Sequence, residues 1–212
     1  MKPSKESPEL KHAISVQQMR ESDAYTIAHF TSGRELMRRA ADGVYHALDW
    51  TGKTIAIVAG SGNNGGDGYA LAAILADAGV MPRVFRTSGK FSDDGAFYYN
   101  LAKEKGAPIC DFSEDENFEG VDVIVDCILG TGFSGAPRGG AADAIRAINA
   151  SGAFVVSVDI NSGLNGDTGE AELAVRSDLT VSIGFYKTGH FLGRASELIG
   201  ELVNVDIGIV LI

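Results

Sequence analysis

Four residues of this sequence have the type and placement that oxygen-centred chemistry needs: Asp126, Asp159, Asn64 and Ser162. Each aspartate closes an apolar run. One such carboxylate could bind a cation while the other handles a proton. Asn64 and Ser162 offer neutral oxygens. Hard cations take oxygen ligands, and one carboxylate among neutral oxygens suits a monovalent ion better than a divalent one. Aspartate at a strand end is also a common turn starter, so residue type alone leaves both readings open.

These residues fall in three polar, glycine-rich stretches. The first is Gly60-Ser61-Gly62-Asn63-Asn64-Gly65-Gly66-Asp67-Gly68, the second runs from Asp126 to Arg138, and the third from Asp159 to Gly169. The first two each contain the spacing G-x-G-x-x-G, at Gly60, Gly62 and Gly65 and at Gly130, Gly132 and Gly135. That spacing after a strand opens a dinucleotide-binding βαβ unit. The usual ribose-binding acid about 20 residues further on is missing; Val84-Phe85-Arg86-Thr87 stands there instead. Arg86 could favour a 2′-phosphate or be a solvated charge. Asp67, at the expected start of a helix, could cap it, contact substrate or act as a reserve base, but it would repel a diphosphate placed there. The second stretch has no competing acid inside its turn. Its N–H groups, with Thr131, Ser134 and Arg138 nearby, are the better phosphate cradle. Lys187 could reach a phosphate or be solvated, and His190 reads as a structural or surface residue rather than as a base.

The elements that would position these loops alternate. Thr54–Ala59, Arg83–Arg86, Asp122–Leu129, Phe154–Ile160, Leu179–Ile183 and Glu201–Ile207 read as strands. Tyr69–Ala78, Asp94–Lys105 and Ala141–Ala150 read as helices, with Phe97, Tyr98 and Leu101 as core contacts. Ile14–Phe30 and Gly33–Trp50 carry helical spacing ahead of the first strand, with Ser32 as an N-cap. Near-continuous apolar strands are buried on both faces, which predicts a mostly parallel sheet between helix layers. All strand carboxyl ends then lie on one edge, and the three loops converge on one cleft.

Composition limits the alternatives. The 212 residues fit one domain, read as a mobile leader over 1–13 and a single domain over 14–212. The formal charge of −10 argues against broad binding to nucleic acid or anionic membrane. No stretch is long and apolar enough for a membrane span. Cys110 and Cys127 read as buried, reduced thiols of a cytoplasmic protein, without the partners of a zinc site.

The runs GSGNNGGDGYALA, DCILGTGFSG and VDINSGLNGDTG, with Lys187-Thr188-Gly189 and Asp206-Ile207-Gly208-Ile209, resemble the NAD(P)H-hydrate epimerase family. Gln18-Met19-Arg20, Asp23 and Leu36 to Ala40 fit its opening helices, so the resemblance covers the chain from about Val16. It implies a Rossmann-like three-layer α/β/α sandwich. It implies epimerisation of hydrated NADH and NADPH, NAD(P)HX, between R and S forms at the hydroxylated ring carbon. This is metabolite repair upstream of an S-specific, ATP- or ADP-dependent dehydratase, which is fused to the epimerase in many relatives. It implies a potassium ion held by Asn64, Asp126 and Ser162. The substrate positions would be Asn63, Asn64, Gly65, Gly66, Asp67, then Gly130, Thr131, Gly132, Phe133, Ser134, Gly135, Ala136, and Asp159. A homodimer is expected, with the N-terminal helices as the interface. Asp159 is the expected acid/base.

Asn161 departs from the resemblance: the third motif commonly has proline there, and its loss is expected to loosen the loop. Two rival readings are a non-catalytic nucleotide-, RNA- or protein-binding module of the same fold, and an NAD(P)-dependent oxidoreductase. The acids and amides of the loops count against the first. The missing ribose acid counts against the second.

Overall fold

The computed structural model describes residues 1–212. Two helices, α1 (Val16–His29) and α2 (Gly33–His46), lead into β1 (Ile55–Ala59) and α3 (Asn63–Asp77). β2 (Arg83–Arg86), α4 (Asp93–Glu104), β3 (Ile109–Asp111) and β4 (Val123–Cys127) follow. The chain continues through α5 (Gly139–Ala150), β5 (Phe154–Val158), β6 (Ser177–Ile183), the short α6 (Ala195–Leu198) and β7 (Ile199–Val205). The seven strands form one sheet in the order β3-β2-β1-β4-β5-β6-β7, and every pairing is parallel.

The apolar strand runs are explained by burial on both faces. In β1, Ile55, Ile57 and Ala59 join the core beneath α2, α3 and α4, while Ala56 and Val58 join the core beneath α5. Side chains alternate across a strand, so a central strand between two helix layers is apolar throughout. Strand order reverses between β1 and β4, whose register pairs Val58 with Asp126 and Ala59 with Cys127. A cleft opens outside the strand ends at such a reversal.

Several elements differ from the expectations. α3 begins at Asn63, six positions ahead of Tyr69, so the glycine run itself is helical. A Cβ on Gly65 would lie 2.1 Å from the Gly60 carbonyl oxygen, and one on Gly66 would lie 2.5 Å from Met37 Cε. The fixed Gly60 carbonyl therefore demands glycine at 65, overriding its poor helix propensity, whereas at 66 the Met37 side chain packs close against the helix backbone. β3 was not expected; it is three residues long, at the sheet edge. Cys110 on it is exposed rather than buried, whereas Cys127 is buried, and both are free thiols. Phe97 is exposed under the Arg34 guanidinium, 4.4 Å from the ring centroid. Ser32 does cap α2, accepting from Glu35 N–H at 3.2 Å.

Met1, the first residue of the stretch 1–13, pairs with β7: Leu202 N–H donates to the Met1 carbonyl, and the Met1 amino group to Leu202 O at 3.1 Å. Ile14 then bridges the strand-like stretch around Lys187. The last residues run back along α1, with Val210 N–H bonded to Thr26 Oγ1 at 2.9 Å and Ile212 N–H to Ser22 Oγ at 3.2 Å. No helix is long and apolar enough to cross a membrane.

Candidate active site

The three loops do converge. A cleft of about 530 Å³ is lined by Asn63, Asn64 and Asp67 from the first, Gly130, Thr131, Gly132 and Phe133 from the second, and Asp159 from the third. α1 and α2 form a further wall, and Asp94, Ile183 and Ile207 also line it. Gly65 and Gly66 face inward, and Ser134, Gly135 and Ala136 lie beyond the lining. A Cβ on Gly130 would lie 3.2 Å from Asn64 Cβ and 3.7 Å from Asp159 Oδ2, so the glycine keeps open the gap between those two side chains.

Asp159 follows the last residue of β5 in a left-handed backbone conformation, with φ of +67°. Such a conformation in a non-glycine residue costs free energy and persists where the surroundings hold it. Here the surroundings are specific. The Asp159 carboxylate is ion-paired with Lys187 Nζ, and the same ammonium donates to the Ile183 carbonyl at 2.8 Å. Lys187 is completely buried, so it is neither solvated nor free to bind phosphate. His190 straps the loop: its Nε2 donates to the Asp159 carbonyl at 3.0 Å, and its Nδ1 accepts from Lys187 N–H at 3.1 Å. Burial, then the Lys187 charge, drive the ring's pKa down to about 3, so it is a neutral positioning group.

The acids around this pair titrate apart. Burial alone would raise the Asp159 carboxyl, but the charge and hydrogen bond of Lys187 outweigh it and hold it below the usual carboxylate range. Asp67 is pushed well up by burial, then by the charges of Asp159 and Asp23, with Lys187 only partly compensating. It is the fifth residue of α3 and faces the cleft; the N-cap is Gly62, so the expected capping role does not hold. Asp23 on α1 is also raised, by burial and by Asp159. The cleft thus presents one carboxyl held below the usual carboxylate range, one pushed well above it, and a third acid at the wall.

Asp126 lies beneath this floor, fully buried, and knots the loops together. It accepts from Ser157 Oγ at 2.8 Å, Ser162 N–H at 2.9 Å, Ser162 Oγ at 2.5 Å and Ile128 N–H at 3.2 Å. Burial raises its pKa against the pull of those donors. Ser162 Oγ also accepts from Leu129 N–H at 2.8 Å, tying the third loop to the second. Asn64 is different. It is 6% exposed, yet neither its Oδ1 nor its Nδ2 has a partner. A buried orphaned amide is costly unless a ligand or ion completes it. No group of three or more His, Cys, Asp or Glu converges anywhere to hold a metal. Of the three residues expected to hold a cation, Asn64 has an unpartnered oxygen at the cleft, whereas Asp126 and Ser162 already hydrogen-bond to each other beneath it.

Asn161 does not loosen its loop. Its Nδ2 reaches Val175 O at 3.0 Å, Ser177 Oγ at 3.0 Å and Leu198 O at 3.1 Å, and its Oδ1 accepts from Thr180 Oγ1 at 2.7 Å. A buried hydrogen-bonded side chain does by cross-linking what proline does by restricting φ. Arg86 lies outside the cleft, paired with Asp111 at 2.5 Å and stacked 5.5 Å over Tyr99. Sequence reasoning missed Lys187 as the partner of Asp159, and missed Arg20 and Asp23 as cleft residues. The one local signal was their three-residue spacing, which puts them on one helix face.

The comparisons agree with this architecture. A solved yeast protein, ynu0, is 23% identical with a TM-score of 0.72, covering 91% of this chain and 86% of its own, and it shows the same fold. A Limosilactobacillus reuteri protein named NAD(P)H-hydrate epimerase is 36% identical over 199 residues, covering 90% of this chain and 92% of its own length. A Coxiella burnetii protein named bifunctional NAD(P)H-hydrate repair enzyme Nnr is 34% identical over 198 residues; the match spans 91% of this chain but only 40% of that protein. The profile of the family described as YjeF-related protein N-terminus matches residues 33–189. With this sequence match and this cleft, the chain belongs to the YjeF-related N-terminal family.

Proposed function

We propose that this protein is an NAD(P)H-hydrate epimerase that interconverts the R and S hydrates of NADH and NADPH. The observation that carries the reading is the buried Lys187–Asp159 pair on the cleft floor, with Asp67, whose carboxyl burial pushes well above the usual range, lining the same cleft. Its curated relatives carry the same activity in their names. Inverting the hydroxylated ring carbon requires its C–O bond to break and to re-form on the other face. Asp67 gives its proton to the departing hydroxyl, which leaves as water as the ring nitrogen's electron pair forms a cationic ring. Water then adds to either face and loses a proton to Asp159. Exchange with solvent returns both carboxyls to their starting states. A pair of acids whose environments push their pKa values apart is suited to this division of labour. Asp23 adds a third carboxyl to the cleft wall.

The remaining donors orient the substrate. The first turn of α3, at Asn63 to Gly65, contacts the substrate through its free N–H groups, and the Gly130–Ala136 loop takes its phosphates. Asn64, Asp126 and Ser162 would hold the potassium ion, supported by the orphaned Asn64 amide. The ion would supply fixed positive charge where the three loops meet. The S hydrate would pass to an ATP- or ADP-dependent dehydratase, either separate or, as the name of the Coxiella relative suggests, on the same polypeptide. The test supplies (R)-NADPHX with a separate dehydratase and follows NADPH recovery with and without potassium. Faster recovery than spontaneous epimerisation allows is expected, and no acceleration overturns the reading.

A further inference from the structure

The wall that α1 presents to the cleft is Val16, Met19, Arg20, Asp23 and Ile27. Those positions follow helical spacing and form one stripe. A stripe facing inward is ordinarily apolar. Here it carries a guanidinium, and that guanidinium has no carboxylate partner. Arg34, Arg38, Arg39, Arg86, Arg146 and Arg194 each pair with a carboxylate. Arg20 does not, although Asp23 lies one turn away on the same face; Arg83, Arg138 and Arg176 have no carboxylate pair either, but they lie outside the cleft lining. No other lysine or arginine lines the cleft, which otherwise shows Asp23, Asp67, Asp94 and Asp159.

That charge pattern is a problem for a polyanionic ligand and Arg20 is its solution. Asp94 is already paired with Arg34 at 3.2 Å. Asp23 is half-buried and feels the charge of Asp159, whereas Arg20 is exposed at the mouth. The support of α1 is firm. Ser15 caps it through Gln18 N–H at 3.1 Å, Asp167 Oδ1 receives Val16 N–H at 2.7 Å, and the C-terminal residues bond to Ser22 and Thr26. A charged fork on so well-anchored a helix is suited to bidentate recognition of phosphate.

We propose that Arg20 is the phosphate-gripping residue of the substrate site, binding either the diphosphate common to both dinucleotides or the 2′-phosphate found only in the NADP form. The proposal rests on the dinucleotide reading given above. It places substrate recognition partly on α1, outside the stretch 33–189 matched by the family profile.

The test compares wild type with Arg20→Gln and Arg20→Lys by two readouts. One is kcat and KM for (R)-NADHX and (R)-NADPHX; the other is the dissociation constant for NADH and NADPH by fluorescence. Arg20→Gln is expected to raise KM and weaken binding roughly tenfold or more with kcat near wild type. Arg20→Lys is expected to recover only part of the loss. An equal loss with both dinucleotides identifies the diphosphate; a loss confined to the NADP forms identifies the 2′-phosphate. Unchanged KM and binding for both overturn the proposal. Should wild type bind dinucleotides but epimerise nothing, the epimerase reading falls and Arg20 is judged on binding alone. Should wild type bind neither dinucleotide, both fall.

Discussion

Lys187 and Asp159 are a buried ion pair whose members approach the cleft from different strands: Asp159 follows β5, and Lys187 follows β6. The ammonium is sealed from solvent while the carboxylate keeps one edge on the cleft, with side-chain exposures of 0% and 17%. A charge this well buried is retained because its partner is at hand; removing one member strands the other.

Replacing Lys187 with methionine is therefore expected to cost about 3–5 kcal/mol of stability and to shift the acid limb of the pH–rate profile. In wild type the lowered Asp159 pKa contributes stability above the usual carboxylate range, and this is lost as pH falls through the lowered value. Without Lys187, burial alone raises that carboxyl. Urea denaturation should show the destabilisation, and kcat/KM should begin to fall at a higher pH than in wild type.

Asp67 predicts the opposite sign. Its folded pKa is raised, so the stability it contributes is present below the ordinary carboxylate range and lost as pH rises through the raised value. Asp67→Asn should flatten this loss in thermal melts taken from acid to neutral pH. As the proposed acid, the same change should lower kcat by about 10²–10⁴-fold.

Asn161→Ala should destabilise the protein by about 2–4 kcal/mol, because it leaves Thr180 Oγ1 and two buried carbonyls without their partner. Chemical denaturation measures this directly. A change within about 0.5 kcal/mol, usual for a surface position, would mean that the side chain is not a cross-link.

Asn64→Ala tests the cation. If potassium completes the orphaned amide, wild type should gain thermal stability and activity as potassium replaces a bulky organic cation, and the variant should gain neither. The readout is the melting temperature against potassium concentration at constant ionic strength.

Much of this was legible in the residues, and the reasons are physical. The strands β1, β4 and β5 are continuous apolar runs because both faces are covered, and their polar ends announced the cleft. Asp159, Asn64 and Asp126 stood out because acids and amides among glycines at strand ends are unusual company. The pairing of Lys187 with Asp159 did not, because the two are 28 positions apart and only the β5–β6 pairing brings them together. α3 starts earlier than the residues suggest because glycines are poor helix formers; the Gly60 carbonyl that excludes a Cβ at Gly65 comes close only once the strand-to-helix turn has formed, and Met37, packed on Gly66, is a tertiary neighbour. Asn161 was read by what proline would have done, since its four partners come from residues 175 to 198.

The most direct test is the rate at which purified (R)-NADPHX is converted to the S form by wild type and by Asp159→Asn, followed by chromatographic separation of the two epimers. The account predicts clear acceleration by wild type and a fall of about 10²-fold or more in the variant. Conversion by Asp159→Asn at the wild-type rate, or no acceleration by wild type, would contradict it.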